Sequence, residues 1–296
     1  MTPTRAKTTA RVAAALLLAV LLLVGWGLKR QAVDSSARAA LAHRLDLRVA
    51  AGSQPRLDCA TLATQKPLVL LALGQSNAGN HGATTRVGQA PITVVAQGQC
   101  LQASDPLPGA TGSGASIWSR LPAALLAAGA KQPVVISVLS VDATQIDDWV
   151  RQASPLRQEL QTVIAQLNQM GLPPTLILWQ QGEADARLAT TSEKYAKSLT
   201  ALASTIRAQN ATAPVLLARS TACRSQPAER LHAAQDMARA KDSQLRPGPD
   251  IDALISDRYR HDGCHLSTEG LDLAAQAWAG SILQELSSIS LGRPIS

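Results

Sequence analysis

The sequence predicts an α/β fold built on a parallel sheet with helices on both faces. Short apolar, β-rich runs recur at 67–73, 92–96, 133–139, 175–180 and 213–219. Helical patterns lie between or after them, near 117–130, 155–170, 192–209, 226–241 and 267–286. The residues able to do chemistry sit just beyond the ends of these runs or just ahead of the last helix. Such alternation implies parallel strands with sites at their carboxyl ends.

The first residues belong to a different kind of segment. Arg5, Lys7 and Arg11 precede an uncharged run from Val12 to Leu28, closed by Lys29 and Arg30. Seventeen helical residues span roughly 25 Å, the short end of what a bilayer needs. A cleavable signal peptide requires small residues in an A-x-A arrangement just after the apolar run, and Ala37-Arg38-Ala39 comes too late. Residues 1–30 are therefore expected to be an uncleaved signal anchor, with a signal peptide as the alternative. Either way the following domain is exported, to the periplasm or the extracellular space, and it is secreted if the leader is cleaved. Residues 31–56 read as a partly helical spacer, leaving 57–290 for the domain itself.

Charge supports this division. The chain carries +7 overall, and the first 56 residues, with nine Lys/Arg and two Asp, hold all of it. The remainder is neutral, which argues against nucleic acid as a partner. Four cysteines, Cys59, Cys100, Cys223 and Cys264, show no C-x-x-C spacing, so a zinc site is not indicated. In an exported chain an even count suggests two disulfides, with three connectivities open.

Within the domain the first strand is a run of apolar residues stopped by Gly74, and Ser76 follows on the turn. Unpaired N–H groups at a helix start can hold a developing oxyanion, although a serine there could serve only as a cap. The elbow pattern G-x-S-x-G is broken by Ala78. The stretch 101–115, with two Pro and three Gly, is too long and polar for a plain connector and reads as a functional loop. Gly171-Leu-Pro-Pro ends one helix, and Ser267 with Gly270 opens the last.

Two further segments complete the set. Trp179-Gln180-Gln181-Gly182-Glu183-Ala184-Asp185 follows the fourth strand, on the same rim as Ser76. The Gln181 amide can donate without titrating, as an oxyanion donor must. Glu183 and Asp185 could instead be solvated loop charges, Asp185 as readily as a site residue. Asp262-Gly263-Cys264-His265 precedes the last helix, and a turn there would bring the Asp262 carboxylate to His265 Nδ1, fixing Nε2 as acceptor. His261 with Asp257 is the rival pair.

Together, G-Q-S-N, W-x-Q-G-E-x-D and D-G-x-H resemble the sialate O-acetylesterase-like branch of the SGNH hydrolase superfamily, over roughly residues 67–285. The resemblance implies a flavodoxin-like three-layer α/β/α sandwich with a five-stranded parallel sheet, here preceded by the N-terminal membrane helix. It implies a carboxylic ester hydrolase acting on acetylated carbohydrate. Ser76 would be the nucleophile, His265 the base and Asp262 its orienter. The oxyanion hole would comprise Ser76, Gln181 and a glycine matching Gly114. Asn77, Glu183 and Gln145 are candidates for the substrate pocket. Where relatives show Gly-Gly-Thr-Ser-Ile this chain has Asp142-Ala143-Thr144-Gln145-Ile146, so a reshaped pocket is expected.

Such chemistry calls for no metal and no organic cofactor. Its partners would be the acetylated carbohydrate and, through the leader, a membrane. An O-acetyltransferase using the same site is the nearer alternative, and an inactive carbohydrate-binding or scaffold protein the more distant. For the cysteines, Cys223 follows the 213–219 strand at the end of the sheet where the Asp262–His265 loop must also sit. Cys223–Cys264 is thus the favoured pair, leaving Cys59–Cys100.

Overall fold

The computed structural model describes residues 31–52, 54–83 and 90–290, with Gly25, Trp26 and Lys29. The chain divides into two units, residues 1–43 and 44–296. In the first, 31–43 are helical. The expected membrane helix, Val12 to Leu28, lies outside the described residues except for Gly25 and Trp26. Among the described residues no helix is long and apolar enough to cross a membrane.

The second unit is organised on eight strands: β1 Arg56–Leu57, β2 Leu68–Gly74, β3 Ile92–Ala96, β4 Gln99–Ala103, β5 Val134–Ser140, β6 Leu176–Gln180, β7 Val215–Arg219 and β8 Leu245–Asp250. Their order across the sheet is β1-β4-β3-β5-β2-β6-β7-β8. All five expected strands are present, as β2, β3, β5, β6 and β7, and they pair in parallel. The expected five-stranded, wholly parallel sheet is nevertheless incorrect: the sheet has eight strands and is mixed, because β4 runs antiparallel to both β1 and β3. β3 and β4 form a hairpin whose turn residues, Gln97 and Gly98, both have positive φ, the conformation that matches strand twist. β8 escapes sequence reading because Pro247 and Gly248 interrupt it, which an edge strand tolerates.

β2 lies at the centre, with all seven residues buried. Leu70 pairs with Ile136 on one side and Leu176 on the other. One core cluster joins Leu70, Ala72, Ile136, Val138 and Leu178 to Leu121, Leu125, Ala274, Trp278 and Ile282 of the Leu121–Ala127 and Thr268–Ser290 helices. The intervening strand residues, Leu71, Leu73, Val135, Ile177 and Trp179, are equally buried. They point to the opposite face, that of the Pro155–Gln169, Ser192–Arg207 and Glu229–Lys241 helices. The start of the last helix is as expected, with Gly270 N–H donating to Ser267 Oγ at 3.1 Å.

Part of the stretch read as a spacer belongs to this unit. Val49 N–H donates to Ala110 O and Gly109 N–H to Val49 O, each at 2.9 Å. Arg48 pairs with Glu159 at 2.8 Å, Arg44 Nη1 donates to Asp142 O at 2.8 Å, and Arg56 enters β1. Both disulfides form, Cys59–Cys100 and Cys223–Cys264.

Candidate active site

The carboxyl ends of β2, β5, β6 and β7 open on one rim, and each delivers a segment to it. β2 ends tightly between its neighbours, with Gly74 paired to both Ser140 and Gln180. A Cβ on Gly74 would stand 2.0 Å from Gln180 O, so only glycine fits there. The chain then turns through a single 3-10 turn, Ser76–Ala78. Within it Ala78 N–H bonds Gln75 O and Gly79 N–H bonds Ser76 O. The N–H groups of Ser76 and Asn77 have no hydrogen-bond acceptor among the described residues, as is usual for the first residues of a helical turn.

A cavity of about 280 Å³ covers this turn, lined by Gln75, Ser76, Glu183, Ala184, Cys223, Cys264 and His265. Ser76 is its floor, 6% exposed. A second, wider cavity of about 680 Å³ is lined by Asn80, Gly112, Ser113, Gly114 and His261. His81 and His265 border both.

Asp262 and His265 meet as their spacing predicts. His265 Nδ1 lies 2.8 Å from Asp262 Oδ2, while Asp262 Oδ1 accepts from the backbone N–H of Cys264 at 2.9 Å and of His265 at 2.7 Å. Burial pushes the Asp262 carboxyl up, but these hydrogen bonds outweigh it and hold the group well below the usual carboxylate range. The ring of His265 stacks against His81, centroids 5.3 Å apart, and against His261 at 6.2 Å. Burial lowers the His81 pKa, and His265 lowers it further. The rival base, His261, sends its Nε2 to His81 O at 3.3 Å, and no Asp257 carboxylate joins it among the described residues. No hydrogen bond joins Ser76 to His265 among the described residues; both line the 280 Å³ cavity.

Several expected roles do not match the geometry. Gln181 is 0% exposed, and the two hydrogens of Nε2 have Asp185 Oδ2 at 2.6 Å and Thr144 O at 2.9 Å as near acceptors, with Gln75 Oε1 farther off at 3.2 Å. Its Oε1 accepts from Tyr195 at 2.9 Å. Fully engaged behind the cavity wall, it has nothing to offer an oxyanion. Gly114 N–H is also taken, by Asn80 O at 2.7 Å. Asn77 does not line the cavity; its amide is engaged, donating to Glu183 Oε1 at 2.7 Å and Cys264 O at 3.2 Å. Gln145 opens the Ile146–Val150 helix, its N–H on Asp148 Oδ2 at 3.0 Å, and does not line the cavity. Its neighbours Asp142 and Ala143 do, so the departing segment does shape the pocket.

Glu183 lines the cavity as expected, but as a buried hub. Oε1 accepts from Asn77 and, at 2.9 Å, from Ser220, while Oε2 is enclosed without a partner. Burial raises its pKa to about 7. The cavity also holds two cations unnoticed in the sequence, Arg187 and Arg224. Arg224 Nε donates to Asp262 O at 3.2 Å, and Arg187 has no ion-pair partner among the described residues. Asp185 is buried too, accepting from Gln181, Ile146 N–H and Thr190, so it is neither a loop charge nor a cavity group. Among the described residues, only His261, Asp262 and His265 gather metal-ligand atoms, within 4.8 Å of one another. Two of those three residues are already joined as the Asp262–His265 pair.

A central parallel strand ending in a serine turn, with an Asp–His pair on the loop before the last helix, is an arrangement similar to that of SGNH hydrolases. The family model described as carbohydrate esterase, sialic acid-specific acetylesterase matches residues 66–284. The chain belongs to that family and is a carboxylic ester hydrolase. A solved protein from Arabidopsis thaliana shares the fold, with a TM-score of 0.59 at 19% identity over 74% of this chain and 98% of that one. Carbohydrate acetylesterases from Xanthomonas citri (TM-score 0.47, 16% identity, 77% of this chain and 57% of that one) and Sinorhizobium meliloti (0.48, 15%, 73% and 99%) are also similar. No curated protein matches the chain.

Proposed function

We propose that this chain is an exported serine esterase that removes O-acetyl groups from a carbohydrate. The observation that carries the reading is the Asp262–His265 pair, 2.8 Å apart, whose His265 lines the same cavity as Ser76. Asp262 orients the ring so that Nε2 accepts a proton. Ser76 Oγ attacks the acetyl carbon as His265 takes that proton, and the Ser76 N–H faces the developing oxyanion. The tetrahedral intermediate expels the sugar oxygen, which leaves with the proton from His265. Water, deprotonated by His265 in turn, attacks the acetyl-serine ester and releases acetate.

His265 must reach the leaving oxygen, so the sugar occupies its side of the site, where the wider cavity provides room. The leader and the two disulfides support export and a membrane anchor. A reporter active only outside the cytoplasm, fused after residue 296, should work; a silent one would place the domain inside.

Acetate release from p-nitrophenyl acetate and from a panel of acetylated sugars tests the chemistry. Ser76→Ala and His265→Ala should each lose most turnover while remaining folded. Near-wild-type hydrolysis by Ser76→Ala would end the serine-esterase reading.

A further inference from the structure

We infer that the side-chain amide of Gln75 is the side-chain donor of the oxyanion hole. The inference rests on the serine-esterase reading above and names a group which that reading leaves open. An ester oxyanion forming on Ser76 needs donors fixed beside the nucleophile before the reaction begins. The other side-chain amides near the turn are spent. Gln181 Nε2 has three acceptors behind the wall, and Asn77 Nδ2 bonds Glu183 and Cys264. Gln180 Nε2 donates to Asn77 O at 3.0 Å, and Asn80 Nδ2 to Leu107 O and Ala110 O.

Gln75 differs, and its orientation is fixed by an unambiguous donor. The backbone N–H of Ala184 reaches Gln75 Oε1 at 3.1 Å, and Gln181 Nε2 approaches the same oxygen at 3.2 Å. A backbone N–H can only donate, so the oxygen faces Ala184 and the nitrogen faces away. That Nε2 has no hydrogen-bond partner among the described residues, yet it is not among the enclosed partnerless atoms. The side chain is 4% exposed and lines the cavity beside Ser76. The nitrogen therefore opens onto the cavity, its amide held by the Ala184 N–H on the oxygen.

Gln75→Glu separates this role from a structural one. The variant keeps an oxygen for Ala184 and Gln181 but replaces the donor with an acceptor. Compared at pH 8, in protein shown by its melting curve to be folded, kcat for p-nitrophenyl acetate should fall roughly 10²–10³-fold and KM should change little. Phosphonylation of Ser76 by a p-nitrophenyl alkylphosphonate, in which Oγ displaces p-nitrophenolate and the phosphoryl oxygen enters the oxyanion hole, should slow in parallel. Gln75→Met, of similar length and without a donor, gives the same readout if the Glu variant fails to fold. A folded variant with kcat within about threefold of wild type, tested where Ser76→Ala is inactive, overturns the Gln75 assignment alone. Turnover surviving in Ser76→Ala would instead overturn the reading beneath it.

Discussion

Glu183 shows how one residue sets a pH limit on the whole site. Its carboxyl titrates near pH 7 in the fold against an ordinary value of 4.5, because burial opposes the charge. Between those values the native state holds a proton that the unfolded chain has lost, so stability falls as pH rises through the window. The full difference corresponds to roughly 3 kcal/mol. Glu183→Gln imitates the protonated form. It should melt higher than wild type at pH 8, by several degrees, and flatten the dependence of melting temperature on pH between 5 and 8. An unchanged pH profile would show that the carboxylate is stabilised where it lies. The sequence indicated that Glu183 stands on the rim. It could not indicate the burial, which depends on Asn77 and Ser220 arriving from two other strand ends. The surroundings of Gln181 are illegible for a related reason, since an amide after a strand looks alike in sequence whether it faces a cavity or a buried carboxylate. Asp185, four residues on, was the one available sign.

At the scale of elements, the Cys223–Cys264 bond ties the segment after β7 to the loop carrying the Asp262–His265 pair. Asn77 and the buried Arg260 both donate to Cys264 O, so the same residue is held from the nucleophile turn as well. Cys223→Ser should therefore lower kcat as well as melting temperature, because a less constrained His265, the proposed base, spends less time in reach of Ser76. Non-reducing peptide mapping with kinetics on the variant checks both, and an unchanged kcat would assign the bond to stability alone. The pair was legible from sequence because strand order places the two cysteines at one end of the sheet. The five central strands were legible because burial on both faces leaves continuous apolar runs. β1, β4 and β8 were not: they lie at or next to the sheet edges, where short, polar or proline-containing strands suffice.

For the whole molecule, the charge map and the fold agree on where the catalytic domain begins only approximately. Composition places the change near residue 56, whereas the folded unit starts at Arg44. The intervening residues are not idle chain. Val49 exchanges backbone hydrogen bonds with Gly109 and Ala110, Arg48 meets Glu159, and Arg44 grips the carbonyl of Asp142, a cavity residue. The segment thus works as a brace reaching the mouth of the catalytic cavity. A shortened protein beginning at residue 57 would keep the sheet's centre and every proposed catalytic residue, yet leave the Asp142–Ala143 wall unsupported. It should melt several degrees below one beginning at residue 44 and bind acetylated sugar more weakly, while differential scanning calorimetry of the longer form shows no such loss. Trimming the leader for solubility and trimming it for minimal size are therefore different operations, separated by a dozen residues.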